Sequence, residues 1–306
     1  VCSSDLNIPG EDKIGLFAGI LEDDDILKQK LDEVVLSIMV LEASYPKNGI
    51  ILLLRPDLYQ KTGKLKEASD RLEEIISVMP ENYYAWEKLL LIYLEAEDYK
   101  NLEKRAEQCA LRFNRSFLAK MLYAAGATEN KNYNVAIEEL RKAEILAGDN
   151  QDMLLQVMST RADVYYRMKD YDKAFSIFDE ALKNGKNDMT ILNNYAYYLA
   201  ERDIRLKDAE KMARQVIETE KDNYTFLDTY AWVLYKRGKL KEAEKLMELI
   251  ILKSEKKDAE YYEHMGYIKK KRRNCQAAVE NWKKAIEIDN TKVELFNEIE
   301  KCQVKK

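Results

Sequence analysis

Apolar residues recur along this chain at intervals of three and four, over stretches of about fourteen residues. Such stretches predict amphipathic helices, one after another, from residue 11 to residue 302. Small residues stand in register between them. Aligning Ala68, Leu102, Ala136, Ala174, Ala209, Ala243 and Ala278 gives successive gaps of 34, 34, 38, 35, 34 and 35 residues. Twelve residues upstream of most of them lies a second slot, held by Pro56, Leu90, Ala124, Ala162, Ala231 and Gly266. For Ala209 the partner is Ala196, thirteen upstream, because Asp203 to Leu206 makes a longer turn. Seven residues downstream is a third slot: Ile75, Cys109, Ala143, Ala181, Val216, Ile250 and Ala285. Small side chains at fixed places let helix backbones approach closely. Bulky ones such as Trp86, Tyr93, Tyr165, Phe178 and Trp282 fill the space around them. One helix pair cannot bury its apolar face alone, whereas a stack can.

Composition narrows the picture. Four prolines and ten glycines in 306 residues are too few turns for an all-β chain. The net charge is −5 and 46% of residues are apolar, which suits a chain with a core. No apolar run reaches the length of a membrane span; the most apolar stretch, Ile50 to Leu54, is far too short. A single histidine, His264, leaves little room for a histidine-based metal site or triad. Cys109, Cys275 and Cys302 are far apart in sequence and form no C-x-x-C, so they read as small apolar residues. The Gly-Lys pairs at Gly63 and Gly238 are followed by Leu and make no phosphate loop. No H-E-x-x-H occurs, and carboxylate pairs are too many to signify. The expectation is a non-enzymatic chain with no cofactor and no metal.

A small residue, then Tyr or Leu, then Ala, an aromatic and Ala again is a pattern that resembles the tetratricopeptide repeat. Its best unit runs from Tyr261 through His264 and Gly266 to Ala278, Trp282 and Ala285. The resemblance implies an all-α, right-handed superhelical solenoid of helix–turn–helix units. About seven units fill 47–290, an irregular helical pair 7–46, and a C-terminal capping helix 291–306. The proline that usually closes each unit stands at Pro46 and Pro80. Asn114, Gly148, Lys186, Lys221, Glu255 and Asn290 replace it elsewhere. Pro56 falls inside a first helix, where proline costs about 3 kcal/mol or more, and predicts a kinked or shortened helix. The extra residues near Gly148 to Met153 make the best candidate for a seam. Residues 1–6 read as a non-native leader, so the start carries no information on a signal peptide or lipid anchor.

In this family the first helices line a concave face. Residues four apart share one helix face, and the equivalent places hold Ser159 and Asp163, Asn193 and Tyr197, Asp228 and Trp232, Glu263 and Tyr267. A polar residue followed one turn later by an aromatic suits an extended peptide or partner helix. The competing reading is that these rings pack between units. The chaperone-binding clamp of the family needs a basic residue with Asn; here Ser159 and Asp163 occupy comparable places and Asn194 stands alone, so carboxylate-terminus recognition is not expected. The run Lys269, Lys270, Lys271, Arg272 and Arg273 could contact phosphates or anionic lipid, but it sits where cations also offset a helix C-terminus. Nucleic acid is therefore not the expected partner. The stretches Leu192 to Ala200 and Leu227 to Lys236 are similar to envelope-associated repeat proteins of the Bacteroidota type, many of them lipoproteins or periplasmic. The resemblance implies a protein-interaction scaffold in the envelope of a Gram-negative bacterium. A cytoplasmic assembly adaptor, or the helical part of a longer enzyme or sensor, are the alternatives.

Overall fold

A computed structural model describes residues 10–185, 188–255 and 257–303. The leader 1–6, Cys2 and the unit-closing Lys186 lie outside them. Among the described residues every regular element is an α-helix. They form two compact units that divide between Val157 and Met158.

The first unit opens with α1 (Gly10–Glu22) and α2 (Asp24–Ser44). Asp23 separates them and caps α2, its carboxylate accepting from the amides of Asp25 and Ile26, both at 3.0 Å. α2 bends at Lys30, whose backbone leaves the helical region. Three helix pairs follow: α3 (Gly49–Lys61) with α4 (Leu65–Val78), α5 (Tyr83–Glu95) with α6 (Tyr99–Arg112), and α7 (Phe117–Glu129) with α8 (Tyr133–Ala147). Phe17, Leu27, Ile38 and Leu41 pack on Ile51, Leu54 and Leu58, so α1 and α2 extend the stack. Buried Glu42 of α2 pairs with Arg55 of α3 at 2.6 Å and Arg71 of α4 at 3.3 Å.

α9 (Gln151–Arg167) is four residues longer than the first helix of every other pair, which is where the extra sequence goes. The unit boundary falls within it. The second unit continues with α10 (Tyr171–Asn184), α11 (Met189–Glu201), α12 (Leu206–Thr219), α13 (Tyr224–Lys236), α14 (Leu240–Lys253), α15 (Ala259–Lys271), α16 (Cys275–Ile288) and α17 (Glu294–Gln303). Leu295, Ile299 and Cys302 of α17 cover Ala278, Trp282 and Ala285 of α16.

All three aligned slots are buried in every pair, from Ala68 and Ile75 to Ala278 and Ala285. Gly266 shows why one of them is so small: a Cβ there would come within 2.3 Å of Trp282 Nε1. Pro56 departs from expectation. α3 runs unbroken through it, with thirteen residues like α5 and α7. The ring is buried in the second slot, and the packing it makes there offsets the missing amide.

Each pair turns in the same way. Gly63, Glu97, Lys131, Lys169, Asp203, Gly238 and Arg273 all adopt positive φ, between 53° and 79°. The next amide bonds back to a carbonyl five residues earlier, as in Lys64 to Tyr59 at 2.8 Å and Asn274 to Lys269 at 2.9 Å. That bond satisfies a carbonyl the helix end would otherwise leave without a donor.

Candidate partner-binding site

Within the second unit, α11, α13 and α15 are the first helices of consecutive pairs, and residues 34–35 apart fall on equivalent faces. The Tyr197 hydroxyl of α11 donates to Glu260 Oε1 of α15 at 3.2 Å, across 63 residues of chain and past the intervening α13. Asp228 of α13 lies beneath this bridge. It is 4% exposed, and both its oxygens meet His264 Nδ1 of α15, at 3.0 and 2.9 Å. His264 Nε2 is 3.9 Å from Glu260 Oε1. Three helices thus bring a phenol, two carboxylates and the one imidazole together.

The charges there perturb one another. Burial, together with the Asp228 carboxylate, pushes Glu260 above the usual carboxylate value, against the pull of His264. Burial draws His264 down, but its bonds to Asp228 outweigh that and the net shift is upward. The imidazolium form is therefore favoured. Donor atoms of Asp228, Glu260 and His264 lie within 4.8 Å of one another, a spacing that a divalent cation could also span. Nδ1 is already engaged by Asp228, which leaves Nε2 and Glu260 as the donors open to one.

Trp232 stacks on the His264 ring at 4.1 Å and on Tyr235 at 4.7 Å. Its indole nitrogen donates to Glu201 of α11 at 2.6 Å. Tyr267 meets Trp232 edge-on at 5.9 Å and Trp282 at 5.3 Å. These aromatics form one ladder across successive pairs, and Trp232 is only 7% exposed. Tyr197, Tyr267 and Glu260 keep half-exposed edges on the same face.

The other candidates are placed differently. Asp163 pairs with Tyr198 and with Arg167, the latter at 3.0 Å. Ser159 and Asn193 are buried, and among the described residues Asn193 Oδ1 accepts no hydrogen bond. Glu263 turns to Lys292, at 2.5 Å.

The basic run is largely engaged in the fold. Lys269 bonds Glu244 and Glu248, Lys270 bonds Glu298, and Arg272 pairs with Glu244. Lys271 lies 4.5 Å from the Tyr235 ring centre. Arg273 occupies the positive-φ turn. The three lysines close the last turn of α15, where positive charge is favourable.

No family model matches the sequence, and no curated protein does. Solved structures do. A tetratricopeptide repeat protein from Parabacteroides merdae superposes with a TM-score of 0.65 at 18% identity, covering 83% of this chain and 98% of that one. Yeast Tom70 gives 0.65 at 15% identity, covering 98% of this chain and 65% of its own. Cut9, from the APC/C hetero-tetramer Cut9–Hcn1, gives 0.64 at 12%, covering 95% and 58%.

This chain has the tetratricopeptide-repeat fold.

The fold accounts for the 34–35-residue register of the candidate residues, but the best-defined contacts of the repeat face were not among them. Glu201, Glu260 and His264 are partners of the predicted residues rather than members of the aligned set. A signal was present for His264, which stands exactly one turn after Glu260. The contact from Tyr197 to Glu260 skips a whole pair, so aligning neighbouring repeats does not reveal it.

Proposed function

We propose that the chain is a non-catalytic scaffold that holds another protein, as an extended peptide or a helix, on the α11–α13–α15 face. The observation that carries this reading is the Tyr197–Glu260 contact. It brings side chains of α11 and α15 together over α13, so the three helices present one continuous face. Half-exposed Tyr197, Glu260 and Tyr267 give that face ring edges and a carboxylate, which suit peptide area and peptide donors. Support also comes from the structural neighbour Cut9, solved in a complex with Hcn1. On the resemblance of Leu192 to Ala200 and Leu227 to Lys236, the proposal extends to the envelope of a Gram-negative bacterium; fractionation of the source cells tests that part.

The binding test is a paired pull-down from source-cell lysate. One bait is the full chain, and the other carries Tyr197→Phe with Glu260→Lys. Both changes fall on partly exposed groups and spare Trp232, which the stack needs. A protein kept by the first bait and lost by the second, at equal helicity, supports the reading. Equal capture by both removes the face from consideration.

A further inference from the structure

The two cysteines that sequence spacing left unconnected meet at the end of the second unit. Cys275 is the first residue of α16, after the capping Asn274, and is half-buried. Cys302 lies near the end of α17 and is 6% exposed. Their side chains belong to one cluster with Ala278, Trp282 and Ile299. Both line a pocket of about 800 Å³, together with Lys270, Arg273, Lys301 and Glu300. Lys270 and Lys301 both pair with Glu298, so among the described residues Arg273 is the pocket cation without an ion pair.

We propose that Cys275 and Cys302 are a modification site, a dithiol that a small anionic disulfide converts to an internal cross-link fastening α17 to α16. The pocket admits the reagent and Arg273 holds a carboxylate of the reagent. The Cys275 thiolate, open to the pocket, attacks one sulfur of the incoming disulfide. The reagent's S–S bond breaks, a mixed disulfide forms at Cys275, and the first reagent thiol leaves with the proton Cys275 gave up. Cys302 then attacks the Cys275 sulfur, loses its own proton and expels the second reagent thiol. Two protein thiols and one reagent disulfide become one protein disulfide and two reagent thiols; the two electrons pass to the reagent. The order follows from the surroundings. Burial pushes the Cys302 thiol up to about 11, so it waits as a thiol while the accessible sulfur reacts first. The two side chains share one cluster and one pocket wall, and the link forms only if the sulfurs come to about 2 Å, a demand that the oxidation experiment reads directly.

The consequence is mechanical. α17 is held to α16 by three buried side chains and, apart from half-buried Glu298, is otherwise exposed, and an element so lightly held opens readily. A cross-link removes that opening. It also makes the state of the pair report whether the compartment is oxidising, which the binding proposal does not address.

The experiment incubates the full chain with oxidised glutathione, quenches it with N-ethylmaleimide and digests it with trypsin. The expected product joins peptide 274–283 to peptide 302–305 with the loss of two hydrogens, reversed by dithiothreitol. The oxidised chain melts at a higher temperature than the reduced one. Cys302→Ala accumulates the glutathione adduct at Cys275, and Cys275→Ala gives neither adduct nor link. Arg273→Glu slows the reaction with oxidised glutathione but not with the uncharged 2-hydroxyethyl disulfide. Failure to form the link in excess oxidant, a link through Cys109 instead, or an adduct that appears first on Cys302 overturns the proposal. Melting curves and helicity of the reduced variants verify that each is folded, so a negative result counts against the chemistry.

Discussion

His264 Nδ1 lies within 3.0 Å of both carboxylate oxygens of Asp228, and each residue is 4% exposed. Among the described residues the cationic partner of this buried carboxylate is His264, so one proton ties α13 to α15. The tie is strong only while that proton is present.

Stability should therefore fall as the solution becomes basic through this site. The folded-state value of His264 is raised above its ordinary 6.5. Its contribution is complete below 6.5 and is lost as pH rises through the folded value. Glu260 is raised above 4.5 and acts in the same direction, at lower pH. Urea midpoints of the native chain and of His264→Gln, measured from pH 5 to 9, should converge as pH increases. Parallel curves would show that the imidazolium contributes nothing to the tie.

Gly266→Ala should cost about 1–3 kcal/mol through overpacking. The new methyl would meet the Trp282 indole at 2.3 Å, and Trp282 is completely buried among α16 and α17 residues, so it has nowhere to go. Denaturant titration reads the loss directly. A stability equal to that of the native chain would mean that α15 and α16 separate more easily than the contact implies.

Ala174→Leu or Ala181→Leu should each destabilise by about 1–3 kcal/mol for the same reason at a different pair. Both alanines are fully buried on α10. An unchanged denaturant midpoint would mean that these positions are not where neighbouring backbones come closest.

The positive-φ turns give a prediction of opposite sign. Lys131 has φ 64° and would be relieved by glycine. Lys131→Gly should gain up to about 1 kcal/mol, the strain removed exceeding the added freedom of the unfolded chain. Gly63, at φ 74°, has nothing within 4 Å of an added Cβ. Gly63→Ala should therefore cost about 1 kcal/mol from backbone strain alone. Thermal melts of the two variants should shift in opposite directions.

The phase of the repeat could be read from Ala174, Ala181 and their counterparts because close approach tolerates few side chains. The turns were harder to read. Only Gly63 and Gly238 advertise a left-handed residue, while Glu97, Lys131, Lys169, Asp203 and Arg273 reach the same conformation with side chains that disfavour it. Pro56 misled because its local cost is visible in sequence and its packing is not. The predicted residues follow the repeat register, but their rings spend most of their surface on each other. Trp232 is the clear case, held between His264 and Tyr235. The contacts of Tyr197 with Glu260 and of Cys275 with Cys302 lie beyond adjacent-repeat alignment, since each depends on how helices meet in space.

The seven turns divide the chain's surface into two kinds of ground. Their closing bonds run from backbone amide to backbone carbonyl, so the angle between paired helices does not depend on the side chain carried at the corner. Acidic Glu97 and Asp203, basic Lys131, Lys169 and Arg273, and bare Gly63 and Gly238 can therefore occupy one geometry in turn. Charge at these corners can be rewritten, by drift or by design, without altering the frame that carries it. The same freedom does not extend to the slots, where a single methyl is felt.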